Sequence, residues 1–169
     1  PKAYRHPALD ERLRRERTVA EARLTSDARR QGVPTPVVRD VDVAEATLTF
    51  ATVGDCDLAA ALSPDRARVV GEHLATLHDA GIVHGDPTVR NVRVDEDRLY
   101  LIDFGLGYHS GHVEDHAMDC HVFEGSVRGT ATEAAAEAAL SAFEAGYAAA
   151  GDGAVISRLR DVEGRGRYQ

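Results

Sequence analysis

The sequence has few of the residues that build disulfide frameworks, and it has no long apolar run. Its 169 residues include two cysteines, Cys56 and Cys120, which cannot form a disulfide framework and fit a reducing cytoplasm. No stretch of eighteen apolar residues occurs, so we expect no transmembrane helix. Residues 1–6 resemble neither a signal peptide nor a transit peptide and lack an initiator methionine. These absences predict a cytoplasmic protein without a membrane partner, and a piece of a longer chain.

Lysine is almost absent as well. A single lysine, Lys2, accompanies nineteen arginines, and the formal net charge is −8. Two explanations stay open: adaptation to high salt, which screens the self-repulsion, or a GC-rich genome that favours alanine, arginine and glycine codons. The acidic excess argues against indiscriminate nucleic-acid binding but is compatible with a local basic patch. The hydrophobic fraction of 43% predicts a globular domain, or two small lobes around a cleft.

Hydrophobic periodicity and capping signals predict a mixture of helices and strands. The predicted helices cover residues 9–31, 63–81, 114–123 and 130–150, and a last one begins near residue 155 and gives way at residue 164. The predicted strands cover residues 36–41, 47–53, 91–94 and 99–102, of which the last two form a hairpin.

Two short motifs carry the chemistry. One is His-Gly-Asp with an asparagine five residues after the aspartate, and the other is Asp-Phe-Gly after an apolar strand. Phosphoryl transfer needs a carboxylate to orient the attacking hydroxyl, which predicts Asp86 as the catalytic residue. Mg²⁺ prefers hard oxygen ligands, which predicts Asn91 and Asp103 as the metal ligands. Asp-Phe-Gly alone is also compatible with a strand ending at a turn, but the ordered combination predicts a kinase-like fold that uses ATP and Mg²⁺.

The same motifs, with others, resemble a known family. Tyr-Arg-His-Pro-x-Leu-Asp, Arg-Thr-x-x-Glu-Ala-Arg-Leu, Gly-Val-x-Thr-Pro, His-Gly-Asp-x-Thr, Leu-Ile-Asp-Phe-Gly-Leu-Gly and Gly-Arg-x-Arg occur in that order from residue 4 to residue 167. Together they resemble the small atypical serine/threonine protein kinase of the KEOPS complex, which is related to the RIO-type kinases. The resemblance covers essentially the whole chain. In many archaea this kinase is the C-terminal part of a fusion with the tRNA threonylcarbamoyl transferase.

The resemblance implies a fold, an activity and partners. The fold would be α+β and protein-kinase-like over residues 1–169, with a partial N-lobe in residues 1–54 and a small, mostly helical C-lobe in residues 55–169. The activity would be that of a Mg-ATP-dependent serine/threonine kinase or ATPase that supports N6-threonylcarbamoyladenosine (t6A) formation in tRNA. The partners would be the transferase, which is fused upstream in many archaea, and other KEOPS subunits. Two alternatives stay open: a kinase-like scaffold that binds the transferase and tRNA without turnover in this truncated form, and a small-molecule phosphotransferase of the aminoglycoside type.

Further residue roles follow from the resemblance. Glu21 is implied to be the helix glutamate that pairs with the ATP-anchoring lysine, and it would join Asn91 and Asp103 in the nucleotide site; otherwise it is one more solvated carboxylate. Asp119 would brace the catalytic loop, or else lie on a helix surface. The Gly-rich loop and the strand that bears the lysine would precede residue 1, and Lys2 lies too close to the helix to replace that lysine.

Two other clusters carry weaker hypotheses. Histidines and a cysteine gather within thirteen residues, at His109, His112, His116, Cys120 and His121, but their spacing does not match a closed zinc site. The C-terminal segment is basic and contains Arg158, Arg160, Arg165, Arg167 and Tyr168. Arginines with an aromatic residue can hold phosphates and stack on bases, so this tail predicts a tRNA contact. The alternative is a solvated helix end whose cations favour the helix C-terminus.

Overall fold

A computed structural model describes residues 7–166 of the chain and the side chains of residues 9–161. The helices are α1 (Pro7–Arg30), α2 (Pro64–Asp79), α3 (Val113–Arg128), α4 (Glu133–Ala150) and α5 (Gly153–Gly166). The strands are β1 (Val38–Asp42), β2 (Thr47–Phe50), β3 (Cys56–Asp57), β4 (Ile82–Val83), β5 (Val92–Asp95), β6 (Arg98–Leu101) and β7 (Tyr108–His109).

The N-terminal part consists of α1 and the antiparallel hairpin β1–β2. The buried face of α1 carries Leu24 and Ala28, spaced one helical turn apart, and Val33 packs with them after the helix ends. Gly32 adopts a φ of 92°, a conformation that glycine takes without strain, and turns the chain back toward the sheet. The Leu101 N–H donates to the carbonyl of Pro34 at 3.0 Å and so connects this part to β6.

A second, three-stranded sheet has the order β3–β5–β6. The hairpin β5–β6 pairs Val92 with Leu101 and Val94 with Leu99, and all four side chains are buried in the core. Because side chains alternate along a strand, Arg93 lies on the opposite face. The segment that links β2 to β3 is attached to this hairpin, since the Asp55 N–H donates to the carbonyl of Val94 at 2.9 Å.

The C-terminal part is helical. Helix α2 begins at the predicted cap, where Ser63 Oγ accepts from the Arg66 N–H at 3.3 Å and proline occupies the first turn. Helix α2 packs closely along α4, and Phe123 of α3 meets Phe143 of α4 with ring centroids 4.5 Å apart. Helix α5 covers α3 and contributes the buried side chains of Val155 and Leu159.

Two helices differ from the sequence predictions. Helix α3 continues five residues beyond the predicted end at Phe123, because Glu124 and Val127 are also buried and extend its packed face. Helix α5 does not give way at Gly164 as predicted but continues to Gly166, so two glycines are not enough to end it. Within residues 7–166, no helix is both long enough and apolar enough to cross a membrane.

A half-buried histidine on α2, His73, makes stability depend on pH. Burial lowers the pKa of His73 from 6.5 to about 4, and a backbone hydrogen bond with Leu99 opposes this shift only in part. Between these two values the unfolded chain binds a proton that the folded protein does not. The free energy of unfolding should therefore fall as the pH falls through this window, by at most about 1.4 kcal/mol per pH unit for this residue.

Urea unfolding of the wild type and of His73→Gln at pH 7.5, 6 and 5 measures this dependence. We expect the variant to lose less stability on acidification than the wild type. His109→Gln is the matched control, because that side chain is exposed. An identical pH dependence in the wild type and His73→Gln would contradict the assignment.

Candidate active site

The predicted catalytic loop follows β4 and begins with His84, Gly85 and Asp86. Asp119 of α3, which is 2% exposed, accepts from the His84 N–H at 2.7 Å and from the Gly85 N–H at 2.9 Å. Gly85 has a φ of 87°, and a Cβ there would lie 2.3 Å from the carbonyl oxygen of Leu106. Only glycine fits this position, and Asp119 holds the loop backbone as the resemblance implies.

His84 connects the loop to the end of β6. Its Nδ1 accepts from the Asp86 N–H at 3.3 Å, so Nε2 carries the hydrogen and donates to the carbonyl of Ile102 at 3.0 Å. The ring is buried and lies 4.5 Å from the Phe104 ring. Burial lowers the pKa of His84, which keeps the ring neutral and preserves both hydrogen bonds.

Asp86 and Asn91 are in direct contact. Asn91 Nδ2 donates to the backbone carbonyl of Asp86 at 2.9 Å and to its carboxylate Oδ2 at 3.0 Å. Because the amide nitrogen faces these two acceptors, the amide oxygen Oδ1 points elsewhere and is left to accept. The Ile102 N–H donates to the carbonyl of Asn91 at 3.0 Å, which brings Asn91 beside the segment that carries Asp103.

Asp103 has an unusual backbone conformation. Its φ is 63°, in the left-handed region that residues other than glycine rarely adopt. Its side chain is exposed, and Oδ1 accepts from the Gly105 N–H at 3.3 Å. Backbone strain of this kind tends to persist at functional sites, where the surrounding structure imposes it.

The carboxylate of Glu21, on α1, lies next to Gly105, as does that of Asp103. A Cβ placed on Gly105 would lie 3.1 Å from Asp103 Oδ1 and 3.3 Å from Glu21 Oε2, so the two carboxylates flank this glycine. Partial burial raises the pKa of Glu21, and the negative charge of Asp103 raises it further. A cation between the two carboxylates would relieve this repulsion.

A cleft of about 350 Å³ opens next to these carboxylates. Its lining is mostly apolar and comes from both parts of the chain: Glu21, Thr25, Pro36, Phe50, Ala51, Thr52, Val53, Arg93, Ile102 and Asp103. The volume is that of a small-molecule site with a few polar groups to orient the ligand. The end of β2 and the segment that follows it, residues 50–53, contribute four of these residues.

The residues present fit ATP and Mg²⁺. The amide oxygen of Asn91 and the carboxylate of Asp103 are hard oxygen ligands, and the carboxylate pair of Glu21 and Asp103 favours a nearby cation. The apolar cleft beside them suits a purine base. The structure thus brings Asn91 against Asp86 and Glu21 against Asp103, and the assignment of these residues to catalysis and metal binding stays a prediction. Lys2 lies outside the described residues.

Sequence reasoning missed a buried polar network behind the loop. His78 Nε2 donates to Asp119 Oδ2 at 3.2 Å, and the Tyr147 hydroxyl donates to His78 Nδ1 at 2.7 Å. The His116 ring stacks on His78 with centroids 4.4 Å apart. Burial lowers the pKa of His78. This network holds the Asp119 carboxylate in place. Its one visible sign in the sequence is a second histidine, His78, six residues before His84.

The structure also describes the histidine–cysteine cluster and part of the basic C-terminal segment. Within the described residues no group of three or more histidine, cysteine or acidic side chains is placed to hold a metal ion. Arg158 pairs with Glu114 at 3.5 Å, and Arg160 pairs with Glu144. These two arginines of the predicted basic tail therefore contact carboxylates of the protein itself. The Arg165 side chain, Arg167 and Tyr168 lie outside the described residues.

The fold is protein-kinase-like. The chain superposes on the Rio2 kinase from Chaetomium thermophilum with a TM-score of 0.58 at 16% identity, over 99% of this chain and 60% of that one. The α+β, kinase-like fold class predicted from the motifs is thereby confirmed.

In sequence, the chain is similar to part of several archaeal proteins named probable bifunctional tRNA threonylcarbamoyladenosine biosynthesis protein. It is 68% identical to the one from Halobacterium salinarum over 170 positions, and 42% identical to the one from Methanosarcina mazei over 170 positions. These matches cover 100% and 99% of this chain but 32% and 30% of the relatives, so the chain spans about a third of their length. The matched part is C-terminal in them, which confirms the predicted resemblance. No protein-family profile matches the chain.

Proposed function

We propose that this chain is a Mg-ATP-dependent phosphotransferase or ATPase that supports t6A modification of tRNA in a KEOPS-type assembly. The observation that carries the proposal is the carboxylate pair of Glu21 and Asp103 in the lining of one apolar cleft. The hydrogen-bonded pair of Asp86 and Asn91 is attached to the same segment through the Ile102 N–H, which donates to the carbonyl of Asn91. The kinase-like fold supports the chemistry, and the relatives' name supports the pathway.

Each residue has a separate task in this proposal. Asp86 orients the attacking hydroxyl of a serine, a threonine or water, and Asn91 keeps that carboxylate aimed through its hydrogen bond. The Asn91 amide oxygen and Asp103 would hold Mg²⁺, which neutralises charge on the phosphates when bound. Glu21 would position the cationic group that anchors ATP. Asp119 keeps the loop backbone in place through its two N–H contacts.

The partners are part of the same proposal. Since the relatives are bifunctional and about three times as long, the transferase would be the remainder of such a polypeptide, and other KEOPS subunits would bind around it. The tRNA would contact the basic tail through Arg165 and Arg167. Arg158 and Arg160 are occupied by protein carboxylates, so their share in such a contact would be smaller.

ATP binding in the presence and absence of Mg²⁺ tests this function in the complete natural polypeptide. We expect Mg²⁺ to increase the ATP affinity of the wild type, and Asp103→Asn to remove most of that increase. Changes to outer-shell residues typically cost about 10- to 100-fold in metal affinity, and the loss of a direct ligand should cost at least as much. Asp95→Asn is the matched control, because this exposed aspartate on β5 lies outside the cleft.

The outcomes distinguish the alternatives. ATP binding with Mg²⁺-dependent hydrolysis supports the proposal. Mg²⁺-dependent binding without hydrolysis, even with the transferase and tRNA present, would favour the scaffold. A wild type that does not bind ATP would contradict both the phosphotransferase and the ATPase assignment.

A further inference from the structure

The cleft lining contains an arginine, Arg93, to which the proposed function assigns no role. Arg93 lies on β5 between Val92 and Val94, whose side chains are buried in the core on the other face of the strand. Strand alternation therefore directs Arg93 into the cleft, where it is part of the lining. A guanidinium in a mostly apolar cleft is costly unless its donors are satisfied, so its partners indicate what it does there.

Two of those partners are backbone carbonyls of the segment that joins the two parts of the chain. Arg93 Nη2 donates to the carbonyl of Gly54 at 3.0 Å, and Nε donates to the carbonyl of Val53 at 3.4 Å. Gly54 has a φ of 63°, and a Cβ on it would lie 2.6 Å from the carbonyl oxygen of Val94. The segment therefore lies directly against β5, and Arg93 is held in one orientation above it.

These two hydrogen bonds engage only the edge of the Arg93 guanidinium. The N–H groups of a guanidinium lie in its plane, so carbonyls that accept from them fix the plane and leave its faces open. Flat aromatic systems stack on such a face, with an attraction that strengthens where water is excluded. Apolar side chains of Phe50 and Ile102 line the same cleft and would enclose a flat ring.

The position of Arg93 separates it from the phosphate end of the cleft. Arg93 pairs with Tyr100 across the β5–β6 hairpin, and Asp103 follows Tyr100 by three residues. Three residues of extended chain span roughly 10 Å. Since β6 ends at Leu101 and Asp103 has a positive φ, this length is an upper bound, but Arg93 and Asp103 still occupy separate positions in the cleft lining. A nucleotide is about long enough to place its base at one of these positions and its charged phosphates at the other.

We propose that Arg93 is a nucleoside-binding residue whose guanidinium stacks on the face of a purine base. The inference rests on the proposed function, because it takes a purine nucleotide as the ligand of this cleft. Arg93 acts on the base and not on the phosphates, and the carbonyls of Val53 and Gly54 hold its guanidinium ready for the ligand.

Adenosine is the discriminating probe, because it contains the base and lacks the phosphates. Binding of adenosine and of Mg-ATP is measured in the complete natural polypeptide for the wild type, Arg93→Met and Arg93→Lys. Methionine keeps an apolar stem of similar length without the planar cation. We expect Arg93→Met to lower both affinities by the same factor, about tenfold, which corresponds to about 1.4 kcal/mol.

Arg93→Lys keeps a charge and a donor for the Val53 or Gly54 carbonyl but lacks the planar face. It should lower the adenosine affinity by several-fold with an unchanged unfolding temperature, and so it tests the proposal even if Arg93→Met fails to fold. Arg98→Met is the matched control. Arg98 is an exposed arginine of the same sheet, with its guanidinium 5.4 Å from the Tyr100 ring, and it does not line the cleft.

Three results would decide the matter. Wild-type adenosine affinity in Arg93→Lys or Arg93→Met would overturn the proposal and leave Arg93 as a clamp for residues 53–54. A loss confined to Mg-ATP would also overturn it, because the guanidinium would then contact phosphate. A wild type that binds neither ligand would overturn the proposed function itself, a separate failure.

Discussion

Replacement of Asp86 by alanine is expected to lower the rate of phosphoryl transfer by about 100- to 10,000-fold, the range that a positioned acid–base group typically contributes. In the proposed function this carboxylate orients the attacking hydroxyl, and Asn91 cannot replace it because Asn91 presents its Nδ2 donor at this point. The fold should survive, because Asp119 still holds the loop backbone and Asn91 still donates to the Asp86 backbone carbonyl when the carboxylate is removed.

ATP hydrolysis and phosphate transfer by the complete natural polypeptide, with its transferase and tRNA present, provide the readout. The ATP affinity should change much less than the turnover, because Asp86 does not line the cleft. Asp97→Ala, in the exposed turn between β5 and β6, is the matched control. Glu21→Ala should reduce turnover less than Asp86→Ala, because Glu21 acts only through another group. Wild-type turnover in Asp86→Ala would remove this residue from the mechanism.

Candidate site residues could be predicted where they lie close together in the sequence, because their spacing forms a motif. Asp86 and Asn91 are separated by one tight loop, and Asp103 follows the next hairpin, so local spacing places Asn91 and the segment of Asp103 at the same end of β5 and β6. The glycine of His-Gly-Asp is explained only by the structure, since the backbone of Leu106 passes within 2.3 Å of where its Cβ would lie. A contact between distant segments leaves no spacing signal.

The same limit accounts for the residues that the sequence did not reveal. Tyr147 and His78 are 69 residues apart, and neither has a motif that marks the other as its partner. Arg93 occupies a strand position where polar side chains are ordinary, and only the approach of residues 53–54 gives it two acceptors in a cleft. The end of α5 was misplaced for a different reason: glycine lowers helix propensity by only about 1 kcal/mol, which neighbouring contacts can offset.

The close packing of α2 on α4 leads to the prediction with the largest effect on stability. A Cβ on Gly71 would lie 2.2 Å from the carbonyl oxygen of Phe143, and one on Gly146 would lie 2.1 Å from the carbonyl oxygen of Arg68. Each glycine meets the backbone of the opposite helix, which cannot move aside as a flexible side chain would. Gly71→Ala and Gly146→Ala should each lower the free energy of unfolding by about 3 kcal/mol or more, at the upper end of overpacking effects.

The damage should reach the active site, because the two helices carry the network behind the catalytic loop. Tyr147 follows Gly146 on α4, His78 lies on α2, and their 2.7 Å hydrogen bond depends on the separation of the helices. Forcing the helices apart weakens the support that His78 gives to Asp119. Gly146→Ala should therefore also lower turnover at temperatures where the variant is still folded, while its ATP affinity stays closer to that of the wild type.

Gly125→Ala is the matched control for this prediction. Gly125 is an exposed glycine of α3, and a Cβ there would have no heavy atom within 4 Å. Alanine should stabilise the protein by about 0.5–1 kcal/mol, because glycine has the lower helix propensity. Urea unfolding of the three variants thus compares the same glycine-to-alanine change at two positions where it should lower the free energy of unfolding and at one where it should raise it. A midpoint for Gly71→Ala or Gly146→Ala at or above that of the wild type would mean that α2 and α4 are not in backbone contact.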